Sequence, residues 1–176
     1  MKRKIILYIS QSLDGFIADN NGSVDWILGN DKNYNSDYGY ENFIKNIDTV
    51  ILGYNTYKQI REVLSPNEWV YNNLQSYILT SKKMKDTNNI KYVNKNVKDL
   101  IDKLQQEEGK DIWICGGANV VNQCIKENLI DEYHITTVPI ILGSGIRLFE
   151  SNNKKIELEL KETKNENGLI TCIYTN

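Results

Sequence analysis

Short apolar runs alternate along this chain with amphipathic segments of helical length. β-Rich runs fall at Ile5–Ile9, Thr49–Leu52, Tyr77–Thr80, Ile90–Val93, Ile112–Cys115 and Tyr133–Val138. Between them, NVKDLIDKLQQEEGKD places Val97, Leu100, Ile101 and Leu104 on one helical face. Asn96 stands where an N-cap belongs, and Gly109 is placed to end that helix. A second helix is expected after Gly117, with Val120, Val121, Cys124 and Ile125 facing inward, and a third over Tyr40–Asn46. Strands and helices in alternation predict a largely parallel sheet covered on both faces. The C-terminus has another rhythm. KIELELKET alternates with period two, NENG offers turn chemistry and LITCIYT returns as a strand, which predicts an antiparallel hairpin at the sheet edge. The stretch from Asp19 to Gly39, rich in Asn, Asp and Gly, is expected to form a long loop of the active-site type.

Composition narrows the picture without changing it. The 176 residues suit one domain over 1–176, and 40% hydrophobic with 25% charged residues is an ordinary globular balance. A net charge of −2 supplies no basic field for nucleic acid, so a bound polyanion would need a local site. MKRKIILYIS starts basic and then apolar, but the polar SQSLDG follows at once without a cleavage site, so a first strand is expected rather than a leader. No run approaches a membrane span. Cys115, Cys124 and Cys172 contain no CxxC pair, and with the single His134 they give no metal-ligand spacing. The expectation is a soluble cytoplasmic protein with core cysteines, no metal and no nucleic-acid or membrane partner.

Four loops follow strands: SLDGFIADNNGSVDW, GYNTYK, TSKKMK and GGANVV. Ligands of open α/β sheets bind beyond the carboxyl ends of strands, where such loops gather. Gly116-Gly117 stands between a strand and a helix whose free N–H groups face that edge. It has neither the GxGxxG pattern nor a Walker lysine, and taken alone such a pair is more often a packing turn. Thr56 either caps its helix or bonds a phosphate. Thr80, Ser81, Lys82 and Lys83 combine hydroxyls with ammonium groups, which suits a phosphate monoester but also an ordinary solvated surface. Leu13, Phe16, Ile17 and Trp26 interrupt a polar loop. They either wall a pocket for a planar ring, with Asp14 or Asp25 as polar contact, or let the loop bury its own side chains.

Together these elements resemble the dihydrofolate reductase-like family, and most of all its branch shared with the reductase domain of riboflavin biosynthesis. The resemblance runs in order through YISQSLDGFIA, DTVILGYNTYK, YILTS, IWICGGANVVNQCI and LIDEYHITTVPIILGSGIRLF. It implies a three-layer α/β fold: a mixed, mostly parallel eight-stranded sheet with flanking helices and a C-terminal antiparallel hairpin. It also implies NADPH bound across the strand ends. By motif, Gly116 and Gly117 match the pair beside the pyrophosphate, often joined by a cis peptide in this family, and Ala118, Asn119 and Val120 match the helix start over the phosphates. Gly53 and Thr56 match the GRxT element. Thr80, Ser81 and Lys82 match the loop for the adenosine ribose and its 2′-phosphate, and Ser10, Ile17 and Ala18 match positions near the nicotinamide.

Two departures stand out. The arginine of GRxTYE is Tyr54 and the glutamate is Lys58, which leaves Lys58, Lys82 or Lys83 to supply a preference for NADPH over NADH. The carboxylate that dihydrofolate reductases carry ahead of GRxT has no clean match. Asp14 and Asp37 are the candidate catalytic acids, with Glu41 beside them, and Arg147 either contacts a substrate phosphate or braces its loop. The resemblance implies an NADPH-dependent reductase acting on a pyrimidine- or pterin-like heterocycle, of the 5-amino-6-(5-phosphoribosylamino)uracil reductase type. Dihydrofolate reductase proper is the alternative, and a nucleotide-binding module with little catalysis is the reading from another class. The zinc deaminase half of riboflavin enzymes is absent from the sequence, and relatives of this type often form homodimers.

Overall fold

The computed structural model describes residues 2–176. The chain begins with β1 (Ile5–Ser12), the short β2 (Phe16–Ala18), α1 (Tyr40–Ile44), β3 (Ile47–Gly53), α2 (Tyr54–Gln59), β4 (Gln75–Leu79) and β5 (Ile90–Val93). It continues with α3 (Val97–Leu104), β6 (Asp111–Gly116), α4 (Ala118–Lys126), β7 (Glu132–Val138), β8 (Ile146–Arg147), β9 (Glu159–Glu166) and β10 (Leu169–Thr175). Eight strands form one sheet in the order β5-β4-β3-β6-β1-β7-β10-β9, while β2 and β8 make a separate ribbon. The six strands from β5 to β7 pair in parallel and the terminal hairpin pairs antiparallel, as the residue pattern and the resemblance both anticipate.

Strand parity divides the core into two layers. Ile5, Leu7, Ile51, Ile112 and Ile114 face α3 and α4, meeting Val97, Leu100, Ile101, Leu104, Val120, Val121 and Cys124. Ile6, Val50, Leu52, Ile78 and Trp113 face the opposite way, under Phe43, Trp69 and Leu74. Each such side chain contributes on the order of 2 kcal/mol by leaving water, so the central strands dominate the stability of the fold. β9 is exposed along nearly its whole length. Its Glu159, Lys161, Glu162 and Lys164 keep this outer edge charged and unattractive to another strand.

Several boundaries differ from the expectation. The Asn96 side chain accepts from the Lys98 amide at 2.8 Å and caps α3 as expected, but the helix ends at Leu104 and not near Gly109. A Cβ on Gly109 would lie 2.6 Å from Asp48 Oδ2, so this glycine serves a close approach and not a helix stop. The alternating KIELELKET becomes strand only from Glu159, and the strand runs on through Glu166. The turn is Asn167-Gly168, both left-handed with φ of 51° and 81°, which matches the twist of a two-residue hairpin. α2 continues as a π-helical turn, Ile60–Leu64, that the pattern did not announce.

The amino ends of the strands are tied by Arg3, which is only 5% exposed. Its guanidinium pairs with Asp48 and donates to Thr49 Oγ1 at 2.6 Å, Lys110 O at 2.5 Å and Leu104 O at 3.3 Å. One side chain thus satisfies acceptors from β3, the end of α3 and the approach to β6. Arg3→Ala leaves those acceptors without a donor and is expected to cost about 2–3 kcal/mol of unfolding free energy. A urea titration checks this, and a loss below about 0.5 kcal/mol would contradict the role assigned to Arg3.

Candidate active site

Because β3 and β6 are parallel neighbours with Leu52 opposite Gly116, their strand-to-helix turns lie side by side. Gly53 opens α2 and Gly117 opens α4, and no side chain caps either helix. The first-turn N–H groups are therefore free for solvent or an anion. Both glycines have extended backbone open to any residue, so what they contribute is space. A Cβ on Gly117 would stand 3.1 Å from Thr56 Oγ1, and one on Gly53 would stand 3.2 Å from Val120 Cγ2. Gly116 differs, since its φ of +123° itself calls for glycine, and the Gly116–Gly117 peptide is cis.

A cleft of about 1470 Å³ opens along this edge of the sheet. Of the residues singled out from sequence, Ser10, Ile17, Ala18, Gly53, Thr56, Thr80, Ser81, Gly117, Ala118, Asn119 and Val120 line it. Gly116 lies just behind, as the last residue of β6. Lys82 is not on the wall, but its ammonium group stands 4.0 Å above the Tyr54 ring. The residue in place of the expected arginine thus carries a cation on its face.

The two candidate acids do not join them. Asp14 accepts from Ser12 Oγ at 2.7 Å, Gly143 N at 2.7 Å and Leu142 N at 3.1 Å, tying the SLDG loop to the segment after β7. The Ser12 hydroxyl, followed by those backbone amides, holds its carboxyl down at about 2. Asp37 accepts from Glu41 N at 2.5 Å and Gly39 N at 3.1 Å at the start of α1, and these bonds lower its pKa. Both carboxylates are ionised and engaged with backbone, and neither lines the cleft, although the Asp37 charge reaches Tyr8 on its wall; this corrects the expectation of proton donors facing the cleft. Arg147 takes the bracing alternative: its guanidinium covers the Phe16 ring at 4.7 Å and reaches Asp14 O at 3.5 Å. The loop reading also resolves. Phe16 is buried and the Trp26 indole donates back to Ser23 O at 3.1 Å, so only Ile17 of the four apolar loop residues lines the cleft.

Residues that were not singled out form the inner end of the cleft: Tyr8, Tyr40, Tyr71, Trp113 and Cys115. Tyr8 stacks on Phe43 with centroids 4.1 Å apart, and Trp113 meets both rings edge-on. Tyr71 Oη and Cys115 Sγ lie 3.6 Å apart. Burial raises the Cys115 thiol and the Tyr40 phenol each to about 12, and pushes Tyr71 further up. Burial also raises Tyr8, with help from the nearby Asp37 charge. These groups are neutral over the physiological range. Parity offered one clue, since Tyr8 lies two residues before Ser10 and Trp113 two before Cys115. Tyr71 sits in an irregular loop that carries no such signal. The mouth is framed by the loop at Gly22, whose carbonyl accepts from Gln59 Nε2 at 2.5 Å.

A family model described as the RibD C-terminal domain matches residues 3–168. Among curated proteins, the chain is 41% identical over 165 residues to the uncharacterized protein YwjB of Bacillus subtilis, covering 93% of this chain and 92% of that one. Its fold is similar to that of a putative riboflavin biosynthesis protein from Shewanella sp. PV-4, with TM-score 0.82, 27% identity and 99% and 98% of the two chains covered. A deaminase/5-amino-6-(5-phosphoribosylamino)uracil reductase from Thermotoga maritima shares the fold at TM-score 0.73 and 14% identity, over 99% of this chain and 56% of that one. Among the described residues, no helix is long and apolar enough to cross a membrane and no cluster of metal-ligating side chains occurs.

The role of Asp14 has a pH signature. Its folded pKa of about 2 lies below the ordinary 3.8, so its stabilisation is present above 3.8 and is lost as pH falls through about 2. Asp14→Asn is expected to lower the thermal midpoint at neutral pH, with the gap to the parent closing as the pH is taken down through that window. A gap that is absent at neutral pH would contradict this role.

Proposed function

The chain belongs to the RibD C-terminal domain family, and on that premise we propose that it is an NADPH-dependent reductase passing hydride to a pyrimidine- or pterin-like ring. The observation that carries this reading is the cradle between Gly117 and Thr56, a gap that a single Cβ would close to 3.1 Å. Two uncapped helix starts converge on it, and that is the donor set a pyrophosphate needs.

The residues present fit the cofactor. Gly117, Ala118, Asn119 and Val120 would hold the pyrophosphate from one side, and Gly53 and Thr56 from the other. Thr80 and Ser81 would receive the adenosine ribose. Lys82, steadied on Tyr54, would supply the positive charge for the 2′-phosphate. Bound NADPH contributes the hydride. Ser10, Ile17 and Ala18 would orient the nicotinamide, and the tyrosine-lined end of the cleft would hold the acceptor ring and keep bulk water from it. Asp25 and Glu62, the acidic side chains on the cleft wall, are both exposed and lie at its mouth. Asp37, whose charge reaches Tyr8, is held by the Gly39 and Glu41 amides and does not line the cleft, so the proton is assigned to water rather than to a carboxylate.

Titration with NADPH and NADH, followed by nicotinamide fluorescence, tests the proposal directly. NADPH is expected to bind with a Kd of about 100 µM or below, and no saturation by either nucleotide would end the reductase reading. Gly117→Val should remove binding, whereas retained affinity would show that the cradle does not hold the pyrophosphate. Lys82→Ala should reduce the preference for NADPH over NADH about tenfold. An unchanged ratio would pass that role to Lys58 or Lys83.

A further inference from the structure

We propose that Asn167, in the hairpin turn between β9 and β10, is a positioning residue for the cleft: its side chain clamps the long loop that forms one wall. The clamp belongs to the free protein, and only its effect on nucleotide rests on the reductase reading.

The loop between β2 and α1 lines the cleft from both of its ends. Asn20 to Asp25 and Ile27 do so on leaving β2, and Tyr40 does so where α1 begins. Residues 19–39 form no strand or helix and include no buried side chain. With no apolar anchor, the order of such a segment depends on its polar contacts. Asn167 supplies them. Its Oδ1 accepts from Asp31 N at 2.9 Å, and its Nδ2 donates to Asp31 O at 2.9 Å and to Tyr38 Oη at 2.8 Å. Opposed contacts with the N–H and C=O of one residue fix which way the amide faces. The Asn167 carbonyl accepts from Asn30 N at 2.8 Å, and Ser36 Oγ donates to the neighbouring Glu166 carboxylate.

The hairpin does not account for this side chain. A left-handed two-residue turn needs only backbone freedom that glycine also has. All three side-chain bonds of Asn167 leave the hairpin for the loop. Loop and turn also meet closely, since a Cβ on Gly29 would lie 2.6 Å from Asn167 O. Ile27 stands three residues before Asn30 and Tyr40 two after Tyr38, so the clamp holds the cleft wall from both sides.

Asn167→Gly tests this, because it keeps the turn and deletes the clamp. In the free protein, amide exchange over residues 20–27 is expected to quicken about fivefold with β1 and β3 unchanged. The urea midpoint is expected to move by less than about 0.5 M. NADPH dissociation, followed by stopped-flow nicotinamide fluorescence, is expected to quicken about fivefold. Tyr38→Phe cuts one of the three bonds from the loop side, and should move exchange and dissociation in the same direction by less. Unchanged exchange over residues 20–27 overturns the clamp, and acceleration spread equally over β1 and β3 shows a merely structural role. Faster loop exchange with unaltered NADPH dissociation overturns the positioning of the cleft. If the parent protein binds no NADPH, the reductase reading fails, while the exchange comparison still decides the clamp.

Discussion

The contact between the β3-to-α2 and β6-to-α4 turns governs the rest of this molecule. Two parallel strands paired at Leu52 and Gly116 must each turn into a helix at the same height. A Cβ at either turn would press within 3.2 Å of a side chain on the other helix, and glycine at 53 and 117 keeps that space open. Removing those Cβ atoms brings the two helix starts together with their N–H groups uncapped. The packing constraint and the proposed anion-binding geometry are thus one feature. The cleft extends from this point in both directions along the sheet edge, towards Thr80 and Ser81 on one side and Tyr8 and Ser10 on the other.

Charge is distributed along that edge unevenly. Lysines gather near the ends of β4 and β5, and Lys82 is steadied by the Tyr54 ring in place of an arginine's own charge. At the other end, acids that reading the sequence suggests for chemistry are spent on architecture: Asp14 joins two loops and Asp37 starts α1. What is left at the inner end of the cleft is an aromatic, protonated wall. On the proposed function, this site works by alignment and exclusion of water, with the reactive electrons supplied by the proposed cofactor.

The sheet was legible because its central strands bury both faces, and Ile5 to Leu7 or Val50 to Leu52 cannot be read otherwise. The side-by-side glycine turns were legible because GGANVV and GYNTYK are contiguous motifs at strand ends. The acids were misplaced because a carboxylate next to backbone amides looks the same in sequence as one facing a ligand. Only the amides of Leu142, Gly143 and Glu41 reveal the difference, and two of these lie far from their partner along the chain. The aromatic floor was missed for a related reason. Tyr8, Tyr40, Tyr71 and Trp113 come from four separate segments and meet only when the sheet is assembled, so no local pattern joins them. The helix stop at Gly109 was misread because a close approach to Asp48 leaves the same residue type as a C-cap.

Hydrogen–deuterium exchange with and without NADPH tests the central claim most directly, because it reads the backbone amides that the paired turns expose. The account predicts slowed exchange at Tyr54 to Thr56 and at Ala118 to Val120 together, as one ligand occupies both helix starts. Protection confined to one turn, or absent from both while NADPH binds, would contradict it.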